Sequence, residues 1–389
     1  KTLLSLDFNT RNLKVTRNLS GKKYSKQNIT LDLSEASFAG DDSISEYVEE
    51  IYLQEKTITS IPLWIFEIVH LKFLHLADNK IVYIPHEIAL LRNLEFFDIS
   101  GNLIEEVPIT IGELKRLKVL NVSRNLIKYL PSEVGRLGSL EVLAAAQNLL
   151  SSIPEALAEC KCLREIFLDD NLSIKRVPSR IFALPFLKVV CIDRCSLVHL
   201  PYVKCVTLTT LRMCENYFLT HIPYYYEAFI TNDYAHQILF DLKQPLMDRS
   251  FTQIETVNEK RILVLPNQLT TIYPHNASRQ PQSLFQLCSS AAHKFFGYNE
   301  LFDGLIPPLI AELLKYGPVA RCGGAFCDAY LFHESYILLL RRNHGRNDYA
   351  IISHLFCSKD CLDKWFDDKS FFYRKIEWKY VRFGGEKKR

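Results

Sequence analysis

The sequence predicts an α/β solenoid of stacked repeats, on three observations. A fixed skeleton runs through Leu71, Leu74, Leu76, Asn79, Ile81, Ile84 and Pro85, and it returns from Leu94, Leu117, Leu140 and Leu163. The asparagines at positions 79, 102, 125, 148 and 171 stand 23 residues apart. Each unit alternates like a strand across its Leu-x-Leu core and then breaks at a proline. A period of this length with the form LxxLxLxxNxIxxIP marks a leucine-rich repeat, whose unit cannot bury its apolar face alone. The expected fold is therefore a leucine-rich-repeat horseshoe of about eight repeats, followed by a helical segment and a small Cys-rich C-terminal domain.

Residues 1–45, with a Lys/Asn-rich piece and a short apolar run at Ile29–Leu33, read as an N-terminal cap or linker. Solenoids need such a cap to cover the apolar end of the first unit. The array proper is placed at 46–224. It opens with Val48, Ile51, Leu53, Ile58, Ile61 and Pro62, where Lys56 replaces the asparagine. It closes with Leu208, Leu211, Met213, Asn216, Ile222 and Pro223. One extra residue near Leu172–Ile174 and Cys195 at an Asn position show the regularity decaying toward the C-terminal end.

The repeated Asn has a physical reason. Its amide can satisfy backbone groups where the chain leaves the strand, so the column removes unpaired polar groups from the interior. Strand alternation puts one set of side chains onto the concave sheet. That set comprises Tyr52, His75, Asp98, Asn121, Ala144, Phe167, Cys191 and Arg212, with Gln54, Ala77, Ser100, Ser123, Ala146, Asp169, Asp193 and Cys214 beside it. The candidate substrate contacts are Tyr52, His75, Asp98, Asn121, Phe167, Asp169, Asp193, Arg194 and Arg212. Exposed aromatics beside charges resemble interface hot spots, and a solvated polar sheet face is the alternative.

Residues 225–282 lose the period and, with the polar, turn-rich stretch Asn267–Gln282, read as an irregular linker. Residues 283–320 change character. Ser283 is placed as a helix cap before Leu284, Leu287, Cys288, Ala291 and Ala292 on one helical stripe. A second helix is entered through Pro307 and Pro308 and carries Ile306, Ile310 and Leu314. On pattern alone this hairpin either covers the end of a core or docks a partner. In the Cys-rich region 321–389, Cys322-x4-Cys327 and Cys357-x3-Cys361 form two knuckle-like pairs, with Gly323 and Gly324 inside the first. Short Cys spacing suits a structural, tetrahedral Zn²⁺. Four ordinary buried thiols are the alternative.

Composition narrows the function classes. With 48% hydrophobic and 23% charged residues, the chain has material for a large core. A net charge of +3 gives no global case for direct nucleic-acid binding or membrane attraction. No apolar run approaches the roughly 20 residues of a membrane span, and the first residues show no signal-peptide pattern. The start at Lys1 reads as a fragment. Eleven scattered cysteines fit a reducing compartment, cytosol or nucleus. No paired carboxylates, phosphate loop or Ser/His/Asp string points to catalysis.

The Ser283-Leu284-x-x-x-Cys288-x-x-x-Ala292 segment resembles the elongin-C-binding box, and Ile306-Pro307 followed by Ile310 and Leu314 resembles a cullin box of the cullin-2 kind. The repeat array, these two helices, the string Arg321 to Cys327 and the string Ile351 to Cys361 follow the order of the leucine-rich-repeat protein 1 family. The resemblance implies the substrate receptor of a cullin-2 RING ubiquitin ligase with elongin B, elongin C and a RING protein. Its implied substrate is the MCM-containing replicative helicase of the replisome, unloaded in the nucleus when DNA replication terminates. Members also carry a pleckstrin-homology-like N-terminal domain, which is not recognised in this sequence. The implied role is non-catalytic. A leucine-rich-repeat scaffold or signalling adaptor is the first rival, and a zinc- or thiol-dependent enzyme in 321–389 the second.

Overall fold

A computed structural model describes residues 48–229, 252–296, 311, 314 and 317–380, except 259, 326, 345–347 and 370–372. The expected N-terminal cap and the residues Ile306, Pro307 and Ile310 lie outside the described residues. The chain divides into two compact units, one of residues 1–149 and 159–167, the other of 150–158 and 168–389.

The repeats contribute eight short parallel strands in chain order. The first unit holds β1 (Glu50–Tyr52), β2 (Phe73–His75), β3 (Phe96–Asp98), β4 (Val119–Asn121), β5 (Val142–Ala144) and β6 (Glu165–Phe167). Their register is the repeat itself, with Leu74 beside Phe97, Phe97 beside Leu120 and Leu120 beside Leu143. The central residue of each strand is buried and feeds the core, while its neighbours stay partly open except in β3, where Asp98 is buried as well. After each proline the chain makes one turn of 3₁₀ helix, as at Leu63–Glu67, His86–Leu90, Ile109–Glu113 and Ser132–Arg136. Proline suits that position because its φ is already fixed and its missing N–H is not needed there.

The asparagine column does what its spacing predicts. Asn125 Nδ2 donates to the carbonyls of Ile99, Val122 and Ser123 at 3.0–3.2 Å, and its Oδ1 accepts from Ile104 N at 3.1 Å. One side chain thus satisfies backbone groups in its own and the preceding repeat.

In the second unit, β7 (Val189–Cys191) and β8 (Thr210–Arg212) are parallel partners, and β9 (Ile222–Pro223) pairs with a different sheet. That sheet belongs to a C-terminal β domain. Its strands are β10 (Thr252–Thr256), β11 (Ile262–Leu265), β12 (Thr271–Pro274), β13 (Ala320–Arg321), β14 (Tyr330–Leu331), β15 (Glu334–His344), β16 (Asp348–Phe356), β17 (Arg374–Ile376) and β18 (Trp378–Tyr380). The helices α1 (Leu284–Phe296) and α2 (Lys359–Lys369) accompany them. The order is β11-β10-β18 in one sheet and β12-β15-β16-β9 in another, with β17 also on β15. Ile254, Leu263, Leu265, Ile337, Leu339, Ile351, Leu355 and Trp378 fill the core between them.

This corrects the expectation of an irregular linker at 225–282. Its described part carries three strands, and they belong to the C-terminal domain. β10 pairs with β18, Ile254 opposite Tyr380, and β12 pairs in parallel with β15, Thr271 opposite Glu334. β10 pairs with β11 across a short turn, but its other partner β18 and the β15 partner of β12 lie far along the chain, so the turn residues around these strands dominate a local reading.

Candidate docking and metal-binding sites

On the first unit, the sheet face opposite the core carries the column expected from alternation: Tyr52, His75, Asp98, Asn121, Ala144 and Phe167 lie side by side in register. Tyr52 stacks on His75 with ring centroids 4.3 Å apart, and His75 leans on Phe96 at 4.6 Å. Burial between these rings lowers the His75 pKa to about 4, so the imidazole is neutral at pH 7. Phe96 and Phe73, 6.4 Å apart, belong to a second column that was not among the expected contacts. They stand two residues before Asp98 and His75 in the same strands, so the alternation that found one column also implied the other.

Alternating charges run along the position before each strand's first residue. Glu49 pairs with Lys72 at 2.7 Å, Glu95 with Lys118 at 2.7 Å and Glu141 with Arg164 at 3.1 Å. The aromatic patch is therefore bordered by paired rather than unbalanced charge.

Two candidate contacts are corrected. Asp98 is 1% exposed, its Oδ1 accepts from Ser100 N at 2.9 Å, and burial raises its pKa. In the second unit Asp193, also 1% exposed, accepts from Cys214 N at 2.7 Å and from Arg212 at 2.5 Å. Both carboxylates hold backbone in place and present no surface. Asn121 Oδ1 likewise accepts from Ser123 N at 3.1 Å, though the residue is only half-buried. Asp169 Oδ1 accepts from Asp193 N at 2.9 Å, while burial raises its pKa. Arg194 forks onto Asp170 at 2.5 and 2.7 Å, a bidentate pair that keeps its charge locally matched. Phe167 is half-buried and Arg212 exposed.

Helix α1 is capped as expected: Ser283 Oγ accepts from Gln286 N at 3.2 Å. Ser283 N donates to Glu334 Oε1 at 2.5 Å, so this residue is bound inward. The helix is seated by polar side chains. Gln286 is fully buried; its amide donates to Tyr330 O at 2.5 Å and accepts from Phe332 N at 3.0 Å. Ser289 is buried, Ser290 Oγ accepts from Tyr330 N at 3.1 Å, and His293 packs edge-on to Tyr330. The apolar stripe is turned outward. Leu284 is 77% exposed and Leu287 48%, with Cys288 and Ala291 also exposed and Ala292 half-buried. Spacing at i, i+3, i+4 and i+7 puts the four exposed residues on one face. Leu314 is buried, so it lends itself to the core and not to a docking surface.

The four cysteines of the C-terminal region do meet. The sulfurs of Cys322, Cys327, Cys357 and Cys361 lie within 4.8 Å of one another, an arrangement able to hold a metal ion. Cys322 follows β13, Cys327 sits in the β13–β14 loop, Cys357 follows β16, and Cys361 stands in the first turn of α2. All four are free thiols. His333 and His354 stand outside this group: His333 meets Ser283 Oγ at 3.2 Å, and His354 is buried against Tyr224, Phe356 and Trp365.

Residues 63–169 match a family model described as a leucine-rich repeat region. Among solved structures, the chain is similar to the leucine-rich-repeat protein LIC12759 of Leptospira interrogans, at 22% identity and a TM-score of 0.35, covering 45% of this chain and 60% of that one. It is also similar to the plant peptide hormone receptor RGFR1 in complex with RGF2, at 21% identity and a TM-score of 0.34, covering 42% of this chain and 34% of that one. No curated protein matches. The chain thus carries a leucine-rich repeat region over residues 63–169 and a four-cysteine cluster in its C-terminal domain.

Proposed function

We propose that the chain is a non-catalytic adaptor, the substrate-recognition subunit of a cullin-2 RING ubiquitin ligase. The observation that carries this reading is helix α1, which buries Gln286, Ser289 and His293 and leaves Leu284, Leu287, Cys288 and Ala291 in solvent. A helix folded for its own domain's sake buries its leucines. An exposed i, i+3, i+4, i+7 stripe on a capped, hydrogen-bonded helix is the groove-docking form of peptide recognition. It includes Leu284 and Cys288, two of the residues in which the sequence resembles an elongin-C box, so elongin C, with elongin B, is the expected occupant. Cullin-2 and its RING protein would join through the segment around Ile306–Ile310.

The repeat sheet supplies the other hand. Its aromatic patch of Tyr52, Phe73, His75 and Phe96 offers the rigid, partly exposed rings that anchor protein interfaces. The expected substrate is the MCM-containing replicative helicase at replication termination, which places the protein in the nucleus. The adaptor would act by effective concentration, holding substrate lysines close to a recruited, ubiquitin-charged enzyme. Neither nucleic acid nor membrane is an expected partner.

Affinity purification from replicating cells tests the reading, comparing the full chain with a Leu284→Ala/Cys288→Ala double variant. Elongins B and C and cullin-2 should co-purify with the first and drop at least tenfold with the second. Equal recovery with both, or recovery of a GTPase or phosphatase in their place, would leave only a scaffold or signalling role.

A further inference from the structure

We infer that the four-cysteine cluster is a structural Zn²⁺ site, and that this ion fastens the strands on which helix α1 is seated. Four soft thiolates at a common centre select zinc over magnesium or calcium, and four protein ligands complete its tetrahedron with no position left for a substrate. With Zn–S bonds of about 2.3 Å, the edges of a regular ZnS₄ tetrahedron are about 3.8 Å long. The sulfurs of Cys327 and Cys357 are 3.5 Å apart, and those of Cys357 and Cys361 3.7 Å.

The backbone around the cluster is shaped to suit an ion. Gly324 N and Cys357 N both point at Cys322 Sγ, at 3.4 and 3.3 Å, the N–H donors that a metal-bound thiolate accepts. Cys327 N donates to Gly324 O at 3.1 Å and closes the knuckle. A side chain at position 323 would come within 2.1 Å of His354 Nε2, and one at 324 within 3.2 Å of Cys327 Cβ and Cys361 Sγ. Glycine at 323 is therefore needed for the loop to wrap this closely, and at 324 a side chain would fit only tightly. Gly323 N is tied to Leu355 O at 2.9 Å, and Ser358 caps the turn that presents Cys361.

The site joins pieces distant in sequence: the β13–β14 loop, the end of β16 and the start of α2. Those pieces also hold α1. Gln286 bonds to Tyr330 and Phe332 at the end of the β13–β14 hairpin, and Gln282, just before α1, donates to the carbonyl of the ligand Cys357 at 3.0 Å. Loss of the ion frees both supports together. The consequence for partner binding rests on the docking role proposed above; the metal site itself does not.

Elemental analysis of the full chain, purified without chelator under reducing conditions, tests the site. One zinc per chain is expected. A metal-free protein, stoichiometric iron, or an intact mass showing disulfides among the four cysteines would overturn it. Cys357→Ser should lose the zinc. Because that variant could also unfold, Co²⁺ exchanged into the wild-type chain provides a second readout, with the visible absorption of a tetrahedral tetrathiolate expected and octahedral Co²⁺ contradicting. Hydrogen exchange then tests the fastening: chelation should raise exchange in α1 at least tenfold while residues 71–163 keep their protection. Unchanged exchange in α1 would remove the fastening. Zinc bound to a chain that captures no elongin would overturn the docking role alone.

Discussion

Asn125 shows how much one residue carries in this fold. Its amide answers three carbonyls and one N–H across two repeats, all but the Ser123 carbonyl sheltered from water. Asn125→Ala leaves those groups unpaired, at about 1–3 kcal/mol for each that water cannot reach. Urea unfolding should show a loss of about 3 kcal/mol, and a loss under about 0.5 kcal/mol would mean that water replaces the amide. This role was legible in the sequence, because a 23-residue column of one polar side chain has few other uses. The residue before each Asn, and before Cys195 in its place, was not legible. Asp78, Gly101, Arg124, Gln147, Asp170, Arg194 and Glu215 all adopt a left-handed φ between 51° and 66°. Only one is the glycine that would signal such a conformation. The stacked hydrogen bonds of the repeat impose it on whatever residue stands there. A Cβ at Gly101 would lie 2.2 Å from Asp78 Oδ1, the exposed carboxylate that pairs with Arg124 at 3.0 Å, so a side chain there would displace that ion pair.

At the scale of one element, α1 inverts the usual logic of an amphipathic helix. The sequence shows an apolar stripe but not which way it faces. That depends on Gln286 finding Tyr330 and Phe332, some 44 and 46 residues away, and on Ser283 finding Glu334. Polar partners supplied from such distances leave no local trace. The inversion has a test. Leu284→Gln should leave the thermal midpoint unchanged within about 1 °C, since a residue already in solvent has little burial to lose. Gln286→Ala, nominally the milder change, should destabilise by about 1–3 kcal/mol by orphaning buried backbone groups. The reverse ranking would mean that the stripe faces inward. The same dependence on distant partners explains β10 and β12, whose pairing with β18 and β15 stands where a linker was expected.

At the scale of the molecule, each unit buries ionisable groups in the neutral form, and this sets how the chain responds to acid. In the second unit His199 and His221 are buried. Desolvation pulls their pKa values from 6.5 to about 4 and about 3, with Arg176 adding to the first effect and His199 to the second. His221 is held through Nε2 by Tyr202 OH at 2.8 Å, and that hydroxyl donates on to Ser353 at 2.7 Å. In the first unit His75 is pulled to about 4 in the same way. A histidine whose folded pKa lies below its unfolded value binds fewer protons when folded. Its contribution to stability is complete above about pH 6.5 and is lost as pH falls toward the folded value. Asp98, Asp169 and Glu155, whose pKa values burial raises, act with the opposite sign and contribute more stability as they protonate. The histidine effect begins at the higher pH, so the urea midpoint should fall from pH 7 to pH 5. His199→Gln, which does not titrate, should make that decline shallower without shifting the pH at which it starts. A midpoint flat across this range, or a slope indifferent to the substitution, would mean that these imidazoles are solvated and charged in the folded chain.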